Sequence, residues 1–457
     1  MAMYGQAINK RQKTAAREVP RNFDANEFFP GITKVEYKPD ASPEDTLCFR
    51  YYNSNERIHG RAIEEWLRPA VSFWHAFRYS GADLWGQATL QRPWDDGTNS
   101  LENYKRRLRA AFEFYSKIGV KYWTFYDRDI SPEGETMEET NHNLDEIIDL
   151  ILELQQRTGV KPLWVAADLH SHSRYINGSL TSPDAQVVVF AAAQLKKSLE
   201  MAHKLGAECF LFRDVREGYG TILNTDVPRE MRHYSRLLKM TADYKERLGY
   251  RGQLLLECQQ DRHSEGYSRE SYLKDATSMM CFLKHYSLDR HYKLSVVPGN
   301  QFFLATAYGM YGSIDATRGM CTSVDMKQGA SYPSLYNTTL LMKAVIEQGG
   351  LQPGGLNIGV LPCRESVDLK DMFTMYVGCL DLYARGLRNA VKITAESIFT
   401  KNLQQRYLSF HTGFGSRLAN GEVNLEDCED QARKHHGDFT ASSGRTEHWE
   451  MAFMRYM

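Results

Sequence analysis

The chain has 457 residues, of which 42% are hydrophobic and 25% are charged, a composition ordinary for a globular protein with a full core. Its 56 Lys and Arg residues nearly balance 57 Asp and Glu residues, for a formal net charge of -1, so no global charge favours nucleic acid or an anionic membrane. Because no apolar run could span a bilayer and the N-terminus lacks the apolar centre of a signal peptide, we expect an intracellular, cytoplasmic protein.

Residues 1–27 form a polar and basic N-terminal segment, with Lys10, Arg11, Lys13, Arg17 and Arg21. The segment has no apolar face to pack, which favours a solvated tail. A mitochondrial presequence is the alternative, but Glu18, Asp24 and Glu27 are unusual for one. We expect this tail to be the segment through which the protein would join a larger assembly.

From residue 70 onward, short β-branched or aromatic runs alternate with longer segments of helical period, which is typical of repeated βα units. The eight predicted strands are Ala70–Phe77, Lys121–Tyr126, Lys161–Asp168, Glu208–Arg213, Gln253–Glu257, Lys293–Val297, Gly312–Asp315 and Gly355–Gly359. The helices predicted between them include Tyr104–Ser116, Asn143–Gln156, Val187–His203, Met231–Arg247 and Tyr272–Tyr286. The pattern predicts an α/β protein with a (β/α)8 TIM barrel over residues 28–370.

Beyond this region the pattern is all-helical, with predicted helices at Met372–Leu387, Glu396–Leu408, Leu425–His435 and Thr446–Tyr456. Residues 371–457 are therefore predicted to form a C-terminal helical extension. Apolar helix faces with no sheet to cover favour subunit contacts, so a homo-oligomer, a dimer or tetramer, is expected.

The eight cysteines are scattered, with no CxxC pair and no zinc-finger spacing. We interpret them as small hydrophobes in a reducing compartment. His170 and His172 have a spacing that can hold a metal, but two histidines alone fall short of a complete site.

Several motifs resemble xylose isomerases of the long, class II type, in order over roughly residues 28 to 457. They include Phe73-Trp74-His75-Ala76-Phe77, Asp129-Ile130-Ser131-Pro132-Glu133-Gly134, Arg216-Glu217-Gly218-Tyr219, Leu223-Asn224-Thr225-Asp226 and Gly312-Ser313-Ile314-Asp315. The resemblance implies an aldose–ketose isomerase with two divalent cations in a cage of carboxylates and one histidine.

Compared with that family, much of the cage is missing. Tyr126 stands where the resemblance implies a histidine that helps to open the sugar ring, and Gln259 stands for a lysine. The sixth strand reads Val297-Pro298-Gly299-Asn300 without the implied bridging carboxylate and histidine, and Gly359 replaces an aspartate. Asp325 could stand in for one later aspartate, depending on where a gap is placed, whereas Lys327 opposes a cation.

Glu257 and Asp315 remain as vestigial metal positions, and we expect them to be paired rather than metal-bound. Arg213 could pair with Asp214, Asp168, Glu257 or Asp315. The predicted vestigial pocket comprises Trp74, His75, Tyr126, Asp129, Trp164, Arg213 and Gln259. For Trp74, His75 and Trp164, aromatic core packing at the barrel mouth is the favoured interpretation in the absence of a metal site.

These observations favour a catalytically inactive, xylose-isomerase-like pseudoenzyme without catalytic residues, metal or other cofactor, kept as a structural or binding subunit. The alternative hypothesis is a carbohydrate isomerase or sugar-binding enzyme with altered, metal-independent chemistry. A third is a working isomerase whose ligands are hidden by the shortened sixth-strand loop.

Overall fold

The computed structural model describes residues 27–82, 86–258, 269–296, 301–316, 334–395 and 397–457. Eight parallel strands close into a barrel in the order in which they follow one another along the chain. They are β1 Pro69–Ser72, β2 Tyr122–Tyr126, β3 Lys161–Ala166, β4 Cys209–Phe212, β5 Gln253–Cys258, β6 Tyr292–Val296, β7 Tyr311–Ala316 and β8 Leu356–Ile358. The prediction of an α/β TIM barrel is confirmed.

One helix follows each strand and covers the outside of the barrel. These helices are α1 Leu101–Ile118, α2 Met137–Thr158, α3 Ala185–Leu205, α4 Val227–Leu248, α5 Ala276–His285, α6 Gln301–Ala307, α7 Leu335–Glu347 and α8 Leu369–Ala395. The first four begin at Ser100, Thr136, Asp184 and Asp226, whose side chains accept backbone N–H groups, and each ends at a left-handed glycine. Such caps satisfy the backbone groups that a helix end leaves without partners.

The first strand is shorter than the sequence predicts, since it ends at Ser72 and residues Trp74–Arg78 form a helical turn. Residues Phe73 and Phe77 are four apart, and on this turn their rings stack with centroids 5.5 Å apart in the core. The aromatic run that suggested a strand therefore packs at helical spacing. The turn leaves Trp74 and His75 at the carboxyl end of the barrel.

Four helices follow α8, namely α9 Ser397–Arg406, α10 Gly413–Ala419, α11 Leu425–Ala432 and α12 Thr446–Met454. Helix α8 itself packs along α7 and touches α1, so it closes the ring of barrel helices. The predicted boundary after residue 370 thus falls within the last barrel helix. The division into tail, barrel and extension remains a prediction, and residues 1–26 of the tail lie outside the described residues.

Shorter elements complete the described part of the chain. They are the two-residue strands Glu36–Tyr37, Cys48–Phe49, Arg57–Ile58, Arg61–Ala62, Gly218–Tyr219 and Glu270–Ser271, the helices Ile63–Leu67 and Asp127–Ile130, and the 3-10 turns Ser173–Tyr175, Ile222–Asn224 and Leu408–Phe410. None of the helices described is both long enough and apolar enough to cross a membrane.

The segment before the barrel is anchored by one carboxylate on α8. Asp381 accepts the backbone N–H groups of Arg50, Tyr51 and Tyr52 at 2.8–2.9 Å. A single side chain therefore satisfies three consecutive amides, of which that of Tyr52 belongs to a buried residue. Backbone donors that lose their acceptor on burial cost folding free energy.

We expect Asp381→Ala to lower the free energy of unfolding by about 2 kcal/mol, because three amides, including that of the buried Tyr52, lose their acceptor. Urea denaturation measures the change. Asp243→Ala is the control, since this α4 aspartate has a side chain 52% exposed and should change stability by less than about 0.5 kcal/mol. Equal effects of both variants would contradict the anchoring role.

Candidate active site at the barrel mouth

A cavity of about 920 Å³ opens at the carboxyl end of the barrel. Five of the predicted pocket residues line it, namely Trp74, His75, Tyr126, Asp129 and Arg213. The strand ends bring these residues together, since in a parallel barrel all strands end at the same face. Gln259, also predicted to lie here, is outside the described residues.

Arg213 lines the cavity and contacts both remaining cage carboxylates. Its Nε lies 2.5 Å from Glu257 Oε2 and its Nη2 donates to Glu257 Oε1 at 2.7 Å. Nη2 also lies 3.7 Å from Asp315 Oδ2. Only the contact from Nη2 to Oε1 is a hydrogen bond, since Nε and Oε2 are close but not aligned for one. The guanidinium therefore meets both oxygens of Glu257 as a buried ion pair. Among the four partners that the sequence allowed, Arg213 takes Glu257 and Asp315.

Glu257 and Asp315 lie beneath this guanidinium, 1% and 2% exposed. Asn357 donates to Asp315 Oδ1 at 3.0 Å and accepts the hydroxyl of Thr124 at 2.7 Å. Strand pairing explains the contact, because Asp315 and Asn357 are register partners on β7 and β8. The sequence analysis did not identify Thr124 and Asn357 as site residues.

One arginine cannot neutralise two buried carboxylates. Burial raises the pKa of Glu257, Arg213 opposes the shift and the nearby Asp315 adds to it, and the net pKa is about 7. A proton on Glu257 therefore competes with its ionised form near neutral pH. The cluster carries its own cation and can also take up a proton.

Tyr126 connects this cluster to the cavity. Its hydroxyl accepts a hydrogen bond from Arg213 Nη1 at 2.7 Å. Burial raises the pKa of Tyr126 well above its ordinary value, although Arg213 opposes the shift. The phenol therefore stays protonated at neutral pH, as expected for a residue that does not exchange protons as a histidine would.

Trp164 was predicted from the sequence to be a pocket residue. In the structure it lies in the barrel interior. Its ring meets the edge of Tyr126 with centroids 5.8 Å apart, and it is 3% exposed. It belongs to the apolar cluster inside the barrel and is absent from the cavity lining. The physical reason is strand alternation, which turns this β3 side chain inward two residues before the strand ends.

His75 and Trp74 form one wall of the cavity. The Nδ1 atom of His75 lies 2.8 Å from the Ser72 hydroxyl, and the Trp74 ring packs edge-on against the imidazole. Trp74 remains 40% exposed. The Trp74 ring is therefore not packed in the core, and part of it faces the cavity.

Two neighbouring aspartates behave differently. Asp127 is almost fully buried and accepts Gln194 Nε2, the Ser198 hydroxyl and the backbone N–H of Asp168 at 2.8–2.9 Å. Asp129 accepts only the backbone N–H of Tyr126 at 3.1 Å among the hydrogen bonds described. Burial raises the pKa of Asp129 to about 7, while Arg78 lowers it.

The loop after β3 brings a second imidazole to the cavity. His170 lines the cavity, and its ring meets Tyr126 edge-on with centroids 5.5 Å apart. Its Nδ1 lies 3.2 Å from Asp168 Oδ1, at ion-pair distance, although the ring is not aligned for a full hydrogen bond. From the sequence, His170 was considered as a metal ligand, and a structural role was favoured. His172 instead caps the following turn by accepting the N–H of Arg174 at 3.0 Å.

The described residues do not fit a two-cation cage. Within the described ranges, no three His, Cys, Asp or Glu side chains are grouped as a metal would require. Both oxygens of Glu257 already contact Arg213, and Asp315 is shared with Asn357. Val297, Pro298, Gly299, Asn300, Asp325 and Lys327 lie outside the described residues, so the sixth-strand prediction stays a prediction.

We expect Arg213→Met to lower the free energy of unfolding by about 3 to 5 kcal/mol at neutral pH, because two buried carboxylates lose their cation. The loss should be smaller at pH 5, where protonation relieves them. Urea denaturation at both pH values checks this.

The matched control is Arg157→Met, which removes an exposed pair with Glu153, at 70% and 61% side-chain exposure. Such a pair is worth at most about 1 kcal/mol. The variant that also carries Glu257→Gln and Asp315→Asn should recover part of the loss. If Arg213→Met and Arg157→Met have equal free energies of unfolding, the pairing of Arg213 with Glu257 and Asp315 does not stabilise the fold.

Asp129 should make stability fall as pH rises. Its folded pKa of about 7 exceeds its unfolded value, so the folded state holds a proton that the unfolded state releases. Stability is therefore lost between about pH 4 and the folded pKa.

Asp129→Asn stays neutral throughout that range and can still accept the Tyr126 N–H. Its unfolding free energy minus that of the native chain should grow by about 1.4 kcal/mol per pH unit within the window. Denaturation at pH 5, 6, 7 and 8 measures the difference. A pH-independent difference would show that Asp129 ionises normally.

Comparisons with known proteins agree with the motifs. Residues 403–457 match the model of the XylA2 C-terminal domain. The chain is 40% identical to a xylose isomerase of Arabidopsis thaliana over 442 residues, covering 94% of this chain and 91% of that protein. It is 37% identical to a xylose isomerase of Bacillus subtilis, covering 94% of this chain and 97% of that protein.

A solved D-psicose 3-epimerase of Clostridium cellulolyticum is similar with 12% identity and a TM-score of 0.46, over 70% of this chain and 99% of that one. The two sequence relatives, in contrast, align over nearly their full lengths. The chain therefore belongs to the xylose isomerase family.

Proposed function

We propose that this member of the xylose isomerase family does not convert aldoses to ketoses by two-cation chemistry and is a pseudoenzyme for that reaction. The observation that carries the proposal is the buried ion pair of Arg213 with both carboxylate oxygens of Glu257, together with the approach of Arg213 to Asp315. The guanidinium of Arg213 thus contacts Glu257 and Asp315, the cage carboxylates that the sequence retains on the fifth and seventh strands.

Electrostatic repulsion opposes the binding of a divalent cation beside Arg213. A divalent cation held by Glu257 and Asp315 would lie within a few ångströms of the guanidinium, and in a buried site that repulsion is weakly screened. The guanidinium cannot leave by losing its proton, because Arg remains charged in proteins. Metal binding would therefore require Arg213 to swing out and leave a buried ion pair.

We further propose that the protein serves as a binding or structural subunit of an intracellular homo-oligomer, with a larger assembly through the N-terminal tail. The C-terminal extension supports the first part, since it exposes many large apolar side chains. These include Leu403, Tyr407, Leu408, Phe410, Leu418, Leu425, Phe439, Met451 and Met454. Apolar side chains gathered on one extension are typical of a surface that another subunit covers.

A second candidate function is a carbohydrate-binding enzyme with metal-independent chemistry. The observation that favours it is the cavity itself, which is open and holds polar groups and the exposed Trp74 ring. A barrel kept only as a scaffold has no need of such a cavity. Aromatic and polar side chains together are the usual lining of a small-molecule site.

The proposal predicts no ketose from D-xylose when Mg²⁺, Mn²⁺ or Co²⁺ is supplied, because no cage polarises the sugar oxygens. Carbon NMR of the reaction mixture detects the ketose directly. The Bacillus subtilis xylose isomerase, assayed under the same conditions, is the positive control.

Thermal melting with and without EDTA completes the experiment. We expect EDTA to leave the melting temperature unchanged. A metal ion bound only to the folded state would raise the melting temperature, and its removal by EDTA would lower it. Metal-dependent turnover to ketose would overturn the proposal and favour a cage completed by residues outside the described ranges.

A further inference from the structure

At the end of the second strand, the chain has Tyr126 where the family resemblance implies a histidine. The structure places another imidazole against that tyrosine, contributed by the loop after β3. The His170 ring packs edge-on against the Tyr126 ring, at 5.5 Å and 77°. Its side chain is 21% exposed and lines the cavity.

The loop that carries His170 is firmly positioned. The Asp168 carboxylate accepts the backbone N–H groups of His170 and Ser171 at 3.2 and 3.0 Å and also binds the Ser171 hydroxyl. Arg216 donates to the carbonyl oxygen of His170 at 3.2 Å. The backbone on both sides of the imidazole is therefore fixed, which is what a catalytic side chain requires.

Asp168 also supplies the charge that a general base needs behind it. Burial alone would raise the pKa of Asp168, but the adjacent His170 and the hydrogen bonds from Ser171 and His170 lower it below its ordinary value. The ionised carboxylate lies 3.2 Å from Nδ1, at ion-pair distance but without hydrogen-bond alignment. Its negative charge stabilises the imidazolium that forms when Nε2, the other ring nitrogen, takes a proton.

We propose that His170 is a general base, positioned by Asp168, and that the cavity catalyses metal-independent opening and closing of cyclic aldoses, which interconverts their anomers. This inference rests on the second candidate function, the binding of carbohydrate in the same cavity. It also reassigns the ring-opening step from the strand-two position of Tyr126 to the loop after β3.

The reaction needs no co-reactant other than water. His170 Nε2 takes the proton of the anomeric hydroxyl, the C1–O1 bond becomes a carbonyl, and the bond from C1 to the ring oxygen breaks. The ring oxygen keeps that electron pair and receives a proton from water in the cavity. After rotation about the C1–C2 bond the steps run in reverse, and the other anomer forms. No hydride moves, so no cation is required to polarise two oxygens.

The experiment follows freshly dissolved α-D-xylose and α-D-glucose by proton NMR in EDTA, with the full chain at catalytic concentration. The α and β anomers and any ketose give separate signals in the same sample. We expect anomer exchange at least about tenfold faster than with His170→Asn, since general base catalysis typically contributes more than that. No ketose should form.

Matched variants separate the base from the rest of the fold. His170→Asn and His170→Gln should both lose the acceleration, with unchanged melting curves, and imidazole added to His170→Gly should restore part of it. His142→Asn is the control, because this α2 histidine is 74% exposed. Since all variants are purified alike, a contaminating mutarotase would accelerate every sample equally and overturn the assignment.

Asp168→Asn tests the positioning role. We expect kcat to fall by about tenfold or more while KM stays within about twofold, since the interaction strengthens as the imidazole becomes charged. A merely structural carboxylate would instead alter KM or the melting curve.

The outcomes distinguish this inference from the function on which it rests. Sugar-dependent stabilisation in a thermal shift assay, together with anomer exchange no faster than in His170→Asn, overturns the general base and leaves carbohydrate binding intact. No stabilisation by any sugar and no acceleration overturns both. Formation of ketose overturns the proposed loss of isomerase chemistry instead.

Discussion

The barrel mouth depends on one ion pair, that of Arg213 with Glu257 and its approach to Asp315. Two carboxylates that face each other inside a barrel require a positive charge, since burying them unpaired costs several kcal/mol. In a two-cation isomerase that charge arrives with the metal. Here it is part of the chain and follows directly after β4. The same guanidinium donates a hydrogen bond to the hydroxyl of Tyr126, a residue that lines the cavity.

The replacement of a cation by a guanidinium that we propose would change which reactions the barrel can support. A hydride shift between neighbouring sugar carbons needs charge polarisation at both oxygens, and Arg213 directs its contacts at protein carboxylates. Proton transfer at the anomeric centre makes no such demand. The features that remain at the mouth, the His170–Asp168 pair beside an open cavity, fit this lesser chemistry. The proposed loss of the metal site and the retention of the cavity are therefore compatible in one protein.

Much of the fold follows from the sequence, because strand periodicity, capping residues and glycine stops act locally. The eight strands and the helices α1 to α5 could be placed, mostly within a few residues, whereas α6 and α7 were not predicted. The first strand was overextended because its aromatic run also suits a helical turn. Contacts at the site are different in kind. That Arg213 selects Glu257 and Asp315, that Asn357 steadies Asp315, and that Trp164 turns inward depend on strand register across the barrel. The position of His170 against Tyr126 depends on a loop path that no local pattern encodes.

Titration of the native chain with Mn²⁺, followed by the EPR signal of the free ion, tests most directly whether Arg213 has taken the place of the cation. The account predicts that the free-ion signal rises in proportion to added Mn²⁺, as in buffer, at concentrations that saturate the Bacillus subtilis xylose isomerase. Saturable loss of signal, equivalent to one or two ions per chain, would contradict it.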